Sequence, residues 1–151
     1  MKTMQLLRDA HHENCVVCGS PNTFGLGLCC QVTDQKGITA SFDCSEVFQG
    51  YPNVMHGGVV SSLLDGAMTN CMFAHGRVAV TVELRVRFRH PVATGCKATV
   101  RAWIEESSPP LYILKAELAQ NDQVKATADG KFCIVSKTDE HHFNHQGVIE
   151  R

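Results

Sequence analysis

The sequence has no excess of either charge: 14 Lys and Arg stand against 15 Asp and Glu in 151 residues, a net charge of −1. That balance removes the electrostatic basis for a general nucleic-acid binder, so no nucleic-acid partner is expected. No apolar run approaches the roughly eighteen residues that a membrane span requires, so no membrane association is expected either. The opening stretch from Met1 to Asn14 lacks an apolar signal core and a cleavage site, which predicts a cytoplasmic protein. There is no internal repeat, no linker and no second composition regime. The length therefore reads as a single domain over residues 1–151, with an N-terminal arm at 1–14 and a polar tail at 137–151.

A second Cys-x-x-Cys pair is also missing. The eight cysteines come without an export signal, so they read as free thiols rather than a disulfide framework. Cys29, Cys30, Cys44, Cys71, Cys96 and Cys133 lie in apolar or alternating segments, and most of them are predicted to be buried. Cys15 and Cys18, with His11 and His12 nearby, fall short of the four ligands of a closed zinc site. His141, His142 and His145 sit in the polar tail, and no metal site is expected.

What is present is a clear order of elements. Leu28 to Thr33 and Ile38 to Cys44 read as two strands joined by the turn Asp34-Gln35-Lys36-Gly37. An irregular loop from Ser45 to Met55 follows. A helix is predicted from about Gly58 to Ala74, stopped by His75-Gly76. Val60, Leu63, Leu64, Ala67, Cys71 and Ala74 repeat at three-to-four-residue spacing, whereas Ser61, Ser62, Asp65 and Thr69 make a narrow polar stripe. A helix this apolar around its circumference is enclosed, and its polar stripe faces a cleft or another subunit.

Val78 to Arg89 alternates without a break. Val80, Val82, Leu84, Val86 and Phe88 are assigned to the helix side, and Thr81, Glu83, Arg85, Arg87 and Arg89 to the other. Lys97 to Glu106, Leu111 to Gln120 and Gln123 to Val135 complete the strands. One helix among six antiparallel strands implies an α+β fold in which the sheet wraps that helix. A single sheet leaves an exposed edge and a half-covered face, so self-association into a dimer or tetramer is expected.

The most informative segment is His56-Gly57-Gly58 followed by Asp65. A helix N-terminus offers unpaired N–H groups to an anion or a developing oxyanion. A carboxylate in an otherwise apolar helix is costly unless it has a partner or a task. Ser61, Ser62 and Thr69 on the same helix are the structural partners available to it.

Together with Gln49-Gly50-Tyr51-Pro52, Leu64-Asp65-Gly66-Ala67 and Val86-Arg87-Phe88-Arg89-His90-Pro91-Val92, this segment resembles the hotdog-fold acyl-CoA thioesterases of the phenylacetate-pathway type. Cys15-Val16-Val17-Cys18-Gly19, with Asn22 and Gly25-Leu26, looks like the opening of one branch of that superfamily. The resemblance implies an antiparallel sheet around one long central helix and hydrolysis of an acyl-CoA thioester. Asp65 would act as nucleophile or general base, and the backbone N–H of Gly57 or Gly58 would polarise the carbonyl. Gln49 would position substrate or water, and Thr81 would be supplied by a neighbouring subunit, because its phase points it away from its own Asp65.

His56 and Thr69 are further substrate-binding candidates, and Arg85, Arg87 and Arg89 are candidates for the phosphates of coenzyme A. Val59, Leu63, Met68, Met72 and Phe73 are candidates for an acyl tunnel. No cofactor is expected, since coenzyme A enters as part of the substrate. Three other readings stand beside hydrolysis: an acyl-CoA-binding regulatory module without chemistry, a zinc-binding interaction module on Cys15 and Cys18, and a hydratase of the same superfamily. The hydratase would need an Asp–His pair that this helix does not carry.

Overall fold

The computed structural model describes residues 2–135, and the tail expected at 137–151 lies outside them. The elements run α1 (Lys2–His11), β1 (Cys30–Val32), β2 (Ile38–Asp43), a 3-10 turn (Glu46–Phe48), α2 (Gly57–Ala74), β3 (Ala79–Phe88), β4 (Lys97–Ser108), β5 (Leu111–Gln120) and β6 (Gln123–Ile134). The strands form one antiparallel sheet in the order β1-β2-β4-β5-β6-β3. All six touch α2.

The helix and the sheet meet through period. Val60, Leu63, Leu64, Ala67, Met68, Cys71, Met72 and Phe73 are buried. Alternate residues of the facing strands meet them, including Ile38, Ala40, Val100, Leu114, Leu118 and Phe132. Leu63, Met68, Met72 and Phe73, expected to line a tunnel, are instead fully packed core. A Cβ on Gly130 would come within 3.0 Å of the Met68 tip, so β6 passes as close to the helix as a glycine permits.

The N-terminal arm is a helix with a place in the fold. Met4 and Arg8 are buried, Leu7 is partly so, and α1 packs on α2. The loop after α1 lies on the same helix, where Val17 fills the space left by Gly66. Cys30, Cys44 and Cys71 are buried, and burial pushes their thiols up to about 12, about 11 and about 12. They stay protonated at neutral pH, as structural thiols do. Cys29 and Cys96 are exposed and Cys133 is half-buried, against expectation. Cys29 lies between buried Leu28 and Cys30 on extended chain, so it points outward.

The largest departure from the expected pattern is in β3. Its pairing with β6 slips by one residue between Thr81 and Glu83. Leu84, Val86 and Phe88 stand opposite the buried Gly130, Ala128 and Ala126, as the alternation predicts. Upstream of the bulge the phase inverts. Thr81 stands opposite the buried Phe132 and turns to the helix side, while Val80 turns away. One extra residue moves every side chain before it to the other face.

The start of α2 is held by His56, the N-cap, whose Nδ1 accepts from the Gly58 N–H at 2.9 Å. Replacing an N-cap side chain with Ala costs about 1 kcal/mol. His56→Ala is therefore expected to lower the melting temperature by about 4 °C, and His56→Asn to restore most of the loss, as read by thermal denaturation. Gly66→Ala drives a methyl group into Val17. Its expected cost is about 1–3 kcal/mol, measured by urea unfolding, with Val17→Ala partly rescuing the double variant.

Candidate active site

Asp65 is half-buried on α2, and its Oδ1 accepts a hydrogen bond of 2.7 Å from Thr81 Oγ1 of the same chain. This corrects the expectation that Thr81 could not reach its own Asp65. The bulge after Thr81 turns its hydroxyl inward, so no second subunit is needed for that contact. The hydroxyls on the helix do not satisfy the carboxylate. Ser61, Ser62 and Thr69 donate to the backbone oxygens of Gly57, Gly58 and Asp65, each one turn back. Thr69 is buried and touches the Asp65 backbone rather than its carboxylate. The second carboxylate oxygen, Oδ2, has no protein partner among the described residues.

At the helix start the two glycines differ. The Gly58 N–H is committed to His56 Nδ1, which removes Gly58 as the free donor. The Gly57 N–H has no acceptor among the described residues. His56 thus shapes the turn, and with Nδ1 accepting, a neutral ring carries its proton on Nε2. A Cβ on Gly58 would come within 3.0 Å of that Nδ1. The close hydrogen bond therefore depends on glycine.

Gly57 borders a cavity of about 310 Å³ formed with Val54, Met55, Val60, Phe88, Arg89 and Val92 among others. That is near the small end of ligand-site volumes, roughly 300–1,000 Å³. Phe88 comes close to Gly57, its ring Cζ lying 3.4 Å from where a Cβ would be. Gln120 is buried and holds the loop at Ala93, the residue after the cavity-lining Val92. Its Oε1 accepts from the Ala93 N–H at 2.9 Å and its Nε2 donates to the Ala93 carbonyl at 2.8 Å. Nothing in the sequence marks this glutamine, since its partner lies far upstream in a loop.

The remaining candidates separate. Gln49 Oε1 accepts from the Asn53 N–H at 3.1 Å, which ties the side chain into the loop over the helix start. Arg85 and Arg87 stand opposite Asp129 and Thr127 on the outer face of β3, and Arg85 lies 3.8 Å from Glu83. Arg89 follows the end of the strand and lines the cavity beside Gly57. Gly57 and Asp65 themselves are eight residues apart on one helix, about 12 Å by helical rise. A single helix therefore cannot place both against one carbonyl group.

A separate cluster sits where α1 meets α2. His12, Cys15 and Cys18 bring their ligand atoms within 4.8 Å of one another. His12 packs edge-on against Phe73 with ring centroids 5.1 Å apart. Burial, then the charge of His11, lowers its pKa, with Asp65 opposing.

The profile of the thioesterase superfamily matches residues 52–126, the stretch that contains Gly57, Asp65, Thr81 and Arg89. No curated protein matches the chain in sequence. Solved structures match it in fold. The PaaI protein from the phenylacetic acid degradation operon of E. coli superposes with a TM-score of 0.75 at 19% identity, over 89% of this chain and 95% of that one. A crystal structure described as a thioesterase superfamily protein gives 0.73 at 20% identity, over 77% of this chain and 61% of that one. The present chain thus spans less than two thirds of that protein. A protein of Streptococcus mutans bound to acetyl CoA gives 0.68 at 14% identity, over 73% and 90% of the two chains. At such identities the superpositions speak for the fold and the profile for the family: the chain has the hotdog fold, and its residues 52–126 match the thioesterase superfamily.

Proposed function

We propose that this protein hydrolyses acyl-CoA thioesters, with Asp65 as nucleophile or general base and the Gly57 N–H as the oxyanion donor. The observation that carries the reading is Asp65 itself. Its carboxylate is held through one oxygen by Thr81 and open at the other, on the helix whose first N–H is unpartnered. Thioester hydrolysis needs little more. The leaving thiolate is stable near neutral pH, with a thiol pKa of roughly 8.5. Charge on the carbonyl oxygen needs a preorganised donor, and water or the enzyme must supply a nucleophile. Arg89 is the arginine best placed for coenzyme A phosphates, because it borders the cavity next to Gly57. The S. mutans structure bound to acetyl CoA supports that ligand class by likeness of fold.

The spacing of about 12 Å on one helix favours a site shared by two copies: Asp65 and Thr81 from one, Gly57 of the partner subunit from the other. Strand β3 is the natural contact. Among the described residues it ends the sheet and pairs only with β6, and it leaves Val82 61% and Phe88 56% exposed. An apolar edge strand invites a second copy.

Thiol release from a panel of acyl-CoA esters tests the activity. Asp65→Asn is expected to reduce kcat by at least roughly a hundredfold, and Thr81→Val by less, since it removes a positioning contact only. Saturable binding with no thiol release from any ester in the panel overturns hydrolysis in favour of a binding module. Gly57→Pro removes the proposed donor where proline suits the first helical position. It is expected to keep the melting temperature and lose about 10²–10³ in kcat.

The shared site has its own test. Mixed after subunit exchange, Asp65→Asn and Gly57→Pro proteins should regain about a quarter of wild-type activity, because half the dimers are mixed and each carries one intact site. No recovery despite demonstrated exchange would place both groups in one chain. The double variant Val82→Glu/Leu84→Glu is expected to shift the assembly toward monomer in sedimentation velocity.

A further inference from the structure

We propose that His12, Cys15 and Cys18 bind a zinc ion, with the side-chain oxygen of Asn70 completing the set, at a site distinct from the one containing Asp65. The residues recur every three positions, and the backbone stacks them through two successive turns. The Cys15 N–H donates to the His12 carbonyl at 3.1 Å and the Gly19 N–H to the Cys15 carbonyl at 2.9 Å. Cys18 Sγ and His12 Nδ1 are 3.8 Å apart. Tetrahedral zinc with ordinary Zn–S and Zn–N bonds sets neighbouring ligand atoms roughly 3.5–3.8 Å apart, so little adjustment is required. Gly19 closes the turn where a Cβ would strike the backbone of Glu13 and Cys15, so no other residue fits.

Two further observations point to a cation. The Val17 N–H donates to Cys15 Sγ at 3.4 Å, an arrangement that stabilises a thiolate ligand. Asn70 is 0% exposed, and its Nδ2 donates to the Gly66 carbonyl at 2.8 Å, which fixes the amide orientation. Its Oδ1 is left without any partner, the one such buried side-chain atom among the described residues. Asn70 also adjoins Cys18: burial pushes that thiol up to about 11, and the Asn70 amide acts against the rise. A buried carbonyl oxygen without a donor is costly, and a metal ion bound beside it removes that cost. Zinc fits the donor set: two thiolates and an imidazole are soft-to-intermediate ligands.

Such an ion would tie the end of α1 and the following loop to α2 one turn beyond Asp65. Its role is structural, because the stretch from His12 to Cys18 and Asn70 on α2 together fill its four positions and none is left open for substrate. Protein purified without an affinity tag is expected to hold about one zinc per chain by elemental analysis. Cys15→Ser and Cys18→Ser should each lose most of it, while Cys133→Ser keeps it. Asn70→Leu should bind zinc at least roughly tenfold more weakly in chelator competition; equal affinity removes Asn70 from the set. Cobalt(II) added to metal-free wild-type protein needs no variant. Intense visible bands with thiolate-to-cobalt charge transfer are expected, and weak octahedral-type bands overturn the site. Zinc below about a tenth of an equivalent after incubation with the ion also overturns it, as does a Cys15–Cys18 disulfide in protein purified under reducing conditions. Neither result bears on hydrolysis, which is read separately by thiol release.

Discussion

The structure depends on enclosing one helix that is apolar around most of its circumference. The helix α2 has almost no face that water can wet without loss, so all six strands bend around it. That enclosure decides where chemistry is possible. Among the side chains of α2, only a few near Val59, Ser61, Ser62 and Asp65 stay half-open. The serine hydroxyls there are turned back onto the helix backbone. Asp65 is left as the one carboxylate on that stripe, with its Oδ2 unpartnered among the described residues. A carboxylate so placed has a fixed position because the packed core on the other side of the helix cannot shift.

The order of elements was legible because each obeys a simple period. The helix bounds fall within one residue of those expected, and β5 runs over the residues predicted for it. The fold followed from that order together with the segments around His56-Gly57-Gly58 and Asp65. The orientation of Thr81 was not legible. A bulge adds one residue to one strand without changing composition, so the alternation of Val78 to Arg89 reads straight through it. The separation of Arg89 from Arg85 and Arg87 is another effect of this kind. It follows from the strand ending at Phe88, a boundary that periodicity locates only approximately.

Other groups were hidden for a different reason. His56 is not among the usual N-cap residues, so nothing announced that it would occupy the Gly58 N–H and leave Gly57 as the free donor. Asn70 and Gln120 are amides buried inside a helix and at a strand end; Asn70 bonds one turn back on its own helix, and the partners of Gln120 come from segments remote in sequence. A buried amide carries no periodic signal. It becomes visible only when its hydrogen bonds are counted, and for Asn70 that count leaves one oxygen over.

The divided site proposed above therefore rests on a different ground from the one the sequence suggested. Strand phase suggested that Thr81 served a neighbour; in fact Thr81 holds its own Asp65. What separates the catalytic groups in the proposed mechanism is the helix. Its rise sets Gly57 and Asp65 about 12 Å apart, and no change of side-chain rotamer closes a gap between two points on one rigid rod. A second, oppositely directed helix can close it, placing the start of one beside the middle of the other. Two-fold symmetry then makes two sites at once, and a single contact along β3 would govern both.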